Sequence, residues 1–316
     1  MLNTRVNLPL IFFTGAVAFA QTVPVVLDID VENVVRYIGD VSDVSRLALN
    51  AASTPPATTR AFTDTIFIGD IVAVNGKPAK GMWTSRQYTM NFSPNPAPGS
   101  AISDVTQGAI AECKYEILNA DGGFIGRVMD GGLFPHAISG GTGAFIGAKG
   151  EQATAPAHVV KAVRLASMTE DPANRRINGG GNVRILLRLI PSSHPEVVTT
   201  ARGPAITHAD GKLVSIFNPA QAGEVLTLHA TGLGPTTPAV DLGQPFPQDT
   251  AYPVNAPVDV LVNGQPAEVL SAVGYSGAID EYQVDFRLPA GLHPGIVGLQ
   301  LTAAWIPGSE VKVAIK

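Results

Sequence analysis

The 316-residue chain is short of charge and of the side chains that most often carry chemistry. Charged residues make up 15% of it, against roughly 25% in an average domain, and there is a single cysteine, Cys113. One cysteine cannot form a disulfide within the chain, so packing has to provide the stability. The net charge of −5 disfavours a nucleic-acid partner, because phosphate binding draws on clustered lysine and arginine.

Common catalytic and metal-binding motifs are missing as well. The six histidines are scattered, and no HxH, HExxH or CxxC spacing occurs, so the sequence predicts no preformed metal site and no cofactor. The stretch Gly274–Ala278 falls one residue short of the GxSxG nucleophile elbow. Cys113 lies in an alternating strand pattern without a neighbouring histidine, which favours a buried small side chain over a nucleophile. The sequence therefore assigns no catalytic residue.

Long apolar runs are confined to the first residues of the chain. Met1–Ala20 has one positive charge, Arg5, followed by an apolar run from Leu8 that closes with Ala18-Phe19-Ala20. This order is typical of a cleaved secretory signal, although a buried first strand is the alternative. The run is too short to span a bilayer comfortably. We expect a secreted, periplasmic or cell-surface protein without a membrane span.

Glycine and proline, in contrast, are abundant, with 33 and 25 residues. Apolar runs between Phe62 and Pro191 are separated by turn signals such as Asn75-Gly76 and Asp121-Gly122-Gly123, and this spacing predicts antiparallel strands of a barrel or sandwich. Val31–Leu49 is the exception, because its valines recur at helical spacing and predict a helix lying across the barrel.

The glycine-rich stretch Ile138–Glu151, ISGGTGAFIGAKGE, predicts a sharply bent strand that another backbone approaches closely. It does not match a phosphate-binding loop, because Ala148 separates Gly147 from Lys149. The run resembles the GGTGxFxxARG signature of dirigent proteins and related allene oxide cyclase-like barrel proteins, with Lys149 where those usually have arginine. This resemblance covers about Phe62–Pro191 and implies an eight-stranded antiparallel β-barrel with a central ligand cavity.

The hydrophobic pattern changes after the polar segment Ser192–Arg202. Clean alternation at Val225–Thr231, Val258–Val262 and Tyr282–Leu288 predicts a two-sheet sandwich. The strings PAQAGEVLTLHATGLGPTTPAV, PVDVLVNGQPAEVL and EYQVDFRLP resemble an immunoglobulin-like module found at the C-termini of many secreted bacterial proteins, which implies an accessory extracellular domain. The predicted architecture is all-β: a signal peptide at 1–20, an antiparallel eight-stranded β-barrel at 21–195 and an Ig-like β-sandwich at 196–316.

Strand alternation also indicates which side chains could contact a ligand in the barrel. The candidate ligand-binding residues are Arg86, Tyr88, Glu112, Tyr115 and Arg127. Glu112 and Tyr115 lie on opposite faces of one strand, and the sequence leaves open which face lines the interior. In a polar loop farther on, Arg175 or Arg176 either clamps an anionic ligand or is simply solvated.

Three hypotheses about function follow. The first is a non-catalytic barrel that binds a small apolar ligand, with the Ig-like domain contacting a cell surface or a protein partner. The second is a dirigent- or cyclase-like isomerase that shapes a reactive intermediate in the barrel lumen. Charged residues that point inward would favour this enzyme. The third is a structural cell-surface protein, for which we expect a lumen packed solid.

Overall fold

The computed structural model describes residues 24–38, 61–91, 108–153, 155 and 161–316. The side chains of residues 61–64, 88–91 and 108–109 are outside this description. The predicted signal peptide Met1–Ala20 also lies outside the described residues. Within them, the chain is built from strands with one short helix, α1 (Asn174–Ile177). None of the helical structure in this part of the chain is long and apolar enough to cross a membrane.

The first sheet closes into a barrel. Its strands, in chain order, are β1 (Val25–Ile38), β2 (Ala61–Val74), β3 (Lys77–Pro78), β4 (Lys80–Asn91), β5 (Gly108–Leu118), β6 (Phe124–Gly132), β7 (Ala137–Gly143), β8 (Lys149–Ala153), β9 (Arg164–Ser167) and β10 (Gly181–Ile190). All but β3 and β9 form the barrel, each antiparallel to its neighbours, and β1 closes it by pairing with both β10 and β2. Closure leaves the barrel without an open edge. The predicted antiparallel eight-stranded barrel is confirmed.

Strand alternation separates the lumen from the outer surface. On β5, Ala111, Cys113, Tyr115 and Ile117 are all buried, whereas Glu112 between them is exposed. Because β5 and β6 are paired in register, Val128 and Asp130 of β6 share the buried face. The lumen is therefore lined by the odd-numbered residues of β5.

The helix predicted over Val31–Leu49 is wrong where the structure describes it, because Val31–Ile38 continue β1. The register of β1 against β2 and β10 shifts next to Asn33, which has φ 53°. At this bulge Val31 and Val34 both become buried in the barrel core. A spacing of three thus arises within a strand and imitates a helical period. Residues 39–49 lie outside the described residues.

The glycine-rich stretch Ile138–Glu151 forms a hairpin and not one bent strand. It contains most of β7, a turn at 144–147 and the start of β8. The predicted close backbone approach is confirmed, since a Cβ on Gly141 would lie 2.2 Å from the carbonyl oxygen of Phe145. Folding the turn this tightly inserts the Phe145 side chain, 1% exposed, into the barrel core.

The second sheet starts at Glu196, after the last barrel strand has ended at Ile190. Its strands are β11 (Glu196–Val197), β12 (Thr199–Thr200), β13 (Gly203–Pro204), β14 (Ile206–Thr207), β15 (Val225–Thr231), β16 (Val258–Val262), β17 (Gln265–Gly274), β18 (Glu281–Arg287), β19 (Gly295–Ala303) and β20 (Ile306–Ile315). The order is β11-β15-β18-β17-β16-β19-β20, with β14 also on β15 and with β12 and β13 as a separate ribbon. The predicted alternating strands are confirmed. Because β17 pairs with both β16 and β18, the expected two layers join into one nearly closed sheet.

The second sheet covers one end of the barrel. Ile306 at the start of β20, and Ala256 and Ala304 in the connections next to its strands, belong to the same buried core cluster as Phe145 of the barrel. Asn255 strengthens the contact: its Nδ2 donates to the carbonyl oxygen of Phe124 at 3.0 Å. This end carries the turns that follow β5 and β7. The opposite end, where β4, β6 and β8 finish, is not part of that contact.

Candidate functional site

A cavity of about 560 Å³ lies at the barrel end opposite to the second sheet. The residues around it come from β4 and β5, from the loop between β6 and β7, from the end of β8 and from the beginning of β10. Its apolar lining includes Trp83, Leu133, Phe134, Val183 and Ile185, and its polar lining includes Ser85, Gln87, Cys113, His136 and Gln152. Small-molecule sites combine apolar walls with polar groups in this way.

A cluster of four buried side chains adjoins the cavity. We call Cys113, Tyr115, Asp130 and His136 the lumen cluster. Tyr115 donates its hydroxyl hydrogen to Asp130 Oδ2 at 2.8 Å, and His136 Nδ1 lies 3.2 Å from Asp130 Oδ1. The same Nδ1 is 3.6 Å from Cys113 Sγ. The strands position these groups directly, because Cys113 and Asp130 are cross-strand partners in the β5–β6 pair.

Cys113 is a protonated thiol in this arrangement. Burial raises the pKa of Cys113 to about 12, and the negative charge of Asp130 acts in the same direction. Its sulfur lies 3.2 Å from Ser85 Oγ, to which the thiol can donate. The prediction that Cys113 is buried is confirmed, since it is 4% exposed.

The cluster does not have the geometry of a Cys–His–Asp triad. In a triad, one ring nitrogen of the histidine faces the nucleophile and the other faces the carboxylate. Here His136 Nδ1 faces both Cys113 and Asp130. A single nitrogen cannot donate a proton to the carboxylate and accept one from the thiol at the same time. The arrangement therefore does not activate the thiol as a nucleophile.

Asp130 is the most deeply buried charge of the cluster, with a side chain that is 0% exposed. In the described part of the chain its ion-pair partner is His136, and no lysine or arginine pairs with it. Burying a carboxylate without a strong cationic partner costs several kcal/mol. The hydrogen bond from the phenol of Tyr115 offsets part of this cost. Burial of Tyr115 and the negative charge of Asp130 in turn raise the pKa of Tyr115 well above its ordinary value.

Arg36 adds a positive charge to the barrel interior. It pairs across the sheet with Phe67, and its guanidinium carbon lies 5.3 Å from the Phe67 ring, which in turn stands 5.8 Å from Trp83. Burial lowers the pKa of Arg36. Arg36 Nε, Trp83 Nε1 and Gln152 Oε1 are buried without a hydrogen-bond partner among the described residues. Two of these three groups belong to side chains that line the cavity, so the cavity wall retains unused hydrogen-bonding capacity.

The predicted ligand-binding residues are not gathered around the lumen. Tyr115 faces inward and joins the lumen cluster. Arg86 and Glu112 are cross-strand partners on the exposed outer face, and Arg127 is also on that face, where its Nε donates to Glu116 Oε2 at 2.6 Å. Tyr88 of β4 pairs with Ile110 of β5, and the side chain of Tyr88 is outside the described residues.

The sequence did not point to Asp130, His136 and Arg36 as lumenal groups. His136 is 23 residues from Cys113, so no spacing motif links them. One feature of the sequence could have predicted that Asp130 lies beside Cys113. The turn at Asp121–Gly123 sets the register of β5 against β6, and this register pairs the two residues.

Both loop arginines form ion pairs with Asp70, so the solvated alternative is wrong for the buried Arg175, whereas the Arg176 side chain is still 64% exposed. Arg175 Nη2 and Arg176 Nη2 donate to Asp70 Oδ1 at 2.5 and 2.7 Å. Arg175 is buried. Although burial raises the pKa of Asp70, hydrogen bonds from Arg176, Arg175 and Asn33 outweigh it and lower the pKa to about 2. These contacts fasten α1 to the barrel wall and leave neither arginine aimed at the cavity.

Comparison with protein-family models, curated proteins and solved structures finds no match to this chain. Any functional argument therefore rests on the cavity and the lumen cluster.

Proposed function

We propose that this is a secreted protein whose barrel, of the dirigent or allene oxide cyclase-like type, binds a small and largely apolar ligand. The Ig-like second unit would contact a cell surface or a protein partner. The cavity is the observation that carries the proposal. Its volume of about 560 Å³ lies within the range of about 300–1,000 Å³ that small-molecule sites occupy. A structural role would instead favour a lumen packed throughout.

The cavity lining indicates the kind of ligand. Leu133 and Phe134, in the loop between β6 and β7, are 52% and 56% exposed and present apolar surface at the cavity. Trp83 Nε1 and Gln152 Oε1 supply one donor and one acceptor without partners in the described structure. An apolar molecule that carries one or two polar groups matches this combination.

The test uses the tryptophans of the protein. The chain has two, Trp83 at the cavity and Trp305, so Trp305→Phe leaves Trp83 as the sole donor for energy transfer to a bound dye. Titration with the amphipathic dye 8-anilinonaphthalene-1-sulfonate, which has an apolar ring system and one anionic group, should quench Trp83 in a saturable way. Val183→Phe in the same background adds bulk to the cavity wall and should weaken dye binding at least about tenfold, which is about 1.4 kcal/mol.

Ile190→Phe is the matched control, because Ile190 is on the same strand but is 45% exposed and lies at the other end of the barrel. It should bind the dye as the parent does. Equal binding by the Val183 and Ile190 variants, or no saturable quenching at all, would contradict a ligand site in this cavity.

A second candidate function is isomerase or cyclase chemistry on the bound ligand. The observation in its favour is that an imidazole, a carboxylate and a phenol meet beside the cavity, in His136, Asp130 and Tyr115. Such groups can transfer protons to or from a bound molecule. The ligand that His136→Gln retains on purification from an exporting host should be converted when the parent protein is added and not when more His136→Gln is added. Recovery of that ligand unchanged by the parent protein would contradict the enzyme.

A further inference from the structure

We propose that Cys113, Asp130 and His136 bind one zinc ion beside the cavity. The inference goes beyond ligand binding and does not depend on it, because the metal needs only these three side chains, two on barrel strands and one on the loop between β6 and β7. Their potential ligand atoms, a sulfur, a carboxylate oxygen and an imidazole nitrogen, all lie within 4.8 Å of one another. All three residues are buried.

The separations between these atoms match those of a tetrahedral zinc site. Zinc lies about 2.3 Å from a cysteine sulfur, about 2.05 Å from a histidine nitrogen and about 2.1 Å from a carboxylate oxygen. At tetrahedral angles these bond lengths place sulfur and nitrogen about 3.6 Å apart, and nitrogen and oxygen about 3.4 Å apart. The observed separations are 3.6 Å between Cys113 Sγ and His136 Nδ1, and 3.2 Å between His136 Nδ1 and Asp130 Oδ1. The third pair, Cys113 Sγ and an Asp130 carboxylate oxygen, is within 4.8 Å, against about 3.6 Å at a tetrahedral zinc ion, so two of the three separations already fit.

Hydrogen bonding does not explain the contact between Cys113 Sγ and His136 Nδ1. If His136 Nδ1 donates its proton to Asp130, it has no lone pair for the thiol of Cys113, which then turns to Ser85 Oγ at 3.2 Å. The 3.6 Å approach of sulfur and nitrogen is then not a hydrogen bond. A metal ion between them uses all three donors at once. It also supplies the cation that the buried Asp130 carboxylate lacks among the described lysines and arginines.

Neighbouring side chains hold the donors in place. Tyr115 donates to Asp130 Oδ2, which leaves Oδ1 on the side of His136. Partners of this kind orient the ligands of a metal and are worth about 10- to 100-fold in affinity. Binding would release the Cys113 thiol proton to solvent, because the thiolate is the form that coordinates zinc.

The position of the cluster suggests how the metal would meet a ligand. Three protein donors leave a fourth tetrahedral position for water or for a donor atom of another molecule. Cys113 and His136 both line the cavity. A zinc ion here would thus adjoin the volume in which a small molecule could bind.

The experiment uses the full chain, stripped of metal with a chelator and titrated with Co²⁺ as a spectroscopic substitute for zinc. One equivalent should produce a near-ultraviolet band from thiolate-to-cobalt charge transfer together with the visible bands of a four-coordinate ion. Zn²⁺ should then displace the cobalt at a 1:1 ratio. No small molecule is present, so the result is independent of dye binding. Absence of the charge-transfer band in the parent protein would overturn the proposal without any variant being needed.

Variants locate the site. Cys113→Ser should abolish the charge-transfer band, and Tyr115→Phe, which keeps the ring but removes the hydroxyl, should weaken zinc binding about 10- to 100-fold. His208→Gln is the matched control, because His208 contacts Glu224 at 2.6 Å but no thiol is near it. It should bind cobalt and zinc as the parent does. A charge-transfer band that survives in Cys113→Ser would refute the assignment.

Discussion

Replacing Asp70 with asparagine removes the carboxylate that two arginines share, and the structure predicts both the size of the effect and its pH dependence. Asp70 accepts hydrogen bonds from Arg175, from Arg176 and from Asn33 Nδ2 at 3.1 Å. The Arg175 side chain is 8% exposed, so Asp70→Asn leaves a buried guanidinium without its counter-charge. The change also loosens α1 from the bulge of β1 and from β2.

The magnitude follows from the pKa of Asp70, which falls from its usual 3.8 to about 2 in the folded protein. Each unit of difference between the folded and the unfolded pKa corresponds to about 1.4 kcal/mol, so the ionised carboxylate contributes roughly 2 kcal/mol to the free energy of unfolding near neutral pH. Because the Arg176 side chain is 64% exposed, solvent screens its attraction to Asp70. We therefore expect the loss of unfolding free energy in Asp70→Asn to lie at the lower end of a range of about 1–3 kcal/mol. Because the folded pKa is depressed, the contribution is complete above about pH 4 and is lost as the pH falls toward 2.

The assay is urea unfolding of the parent and the variant between pH 7 and pH 2. Fluorescence of Trp83 in a Trp305→Phe background would report on the barrel. The difference in free energy of unfolding should be constant from pH 7 to about pH 5 and should shrink below about pH 4. Asp28→Asn is the control, because its pair with Arg184 is about one-third exposed and should be worth at most about 1 kcal/mol.

A difference between parent and Asp70→Asn that stays the same down to pH 2 would refute this reasoning. It would mean that the ionised carboxylate is not what holds the two arginines. An effect of Asp28→Asn as large as that of Asp70→Asn would likewise contradict the assigned role of burial.

Two further predictions concern the backbone and the contact between the barrel and the second sheet. Gly141→Ala should destabilise the barrel by more than about 2 kcal/mol in urea unfolding, because its Cβ would lie 2.2 Å from the Phe145 carbonyl oxygen. Gly140→Ala is the control: its Cβ would have nothing within 4 Å, so it should cost less than about 0.5 kcal/mol. Equal costs for the two variants would contradict the close approach at Gly141. Asn255→Ala removes the hydrogen bond to the Phe124 carbonyl oxygen and should lower the free energy of unfolding by about 1–3 kcal/mol. In calorimetry, the barrel and the second sheet of this variant should melt in separate transitions. An unchanged thermogram would show that this hydrogen bond does not couple them.

Local chemistry made the strands and turns predictable. Asn75 and Gly76 both have positive φ, 49° and 72°, as a two-residue hairpin turn requires, and the turn can be read from the dipeptide alone. The period-two pattern of Val225–Thr231 likewise needs no knowledge of its neighbours. The helix predicted from Val31 onward failed for the opposite reason. There, a bulge set by pairing with two other strands changed which valines face inward.

The candidate site was much less predictable. Alternation shows that Glu112 and Tyr115 lie on opposite faces of β5 but not which face is buried, and burial is decided only when the barrel closes. His136 reaches Cys113 because the β6–β7 loop returns over the β5–β6 pair, and nothing in the linear spacing records that return. The predicted charges Arg86 and Arg127 therefore lie outside, while Asp130 and Arg36 lie within.

The amino-acid sequence alone determined that this chain forms strands and where its tight turns occur, because backbone φ preferences and apolar alternation act between near neighbours. The tertiary structure alone decided which polar groups share the lumen, which end of the barrel the second sheet covers and which end holds a cavity. Those outcomes depend on closure and register between strands distant in the chain, and the free energy that selects them comes from burial of the assembled core and not from any local pattern.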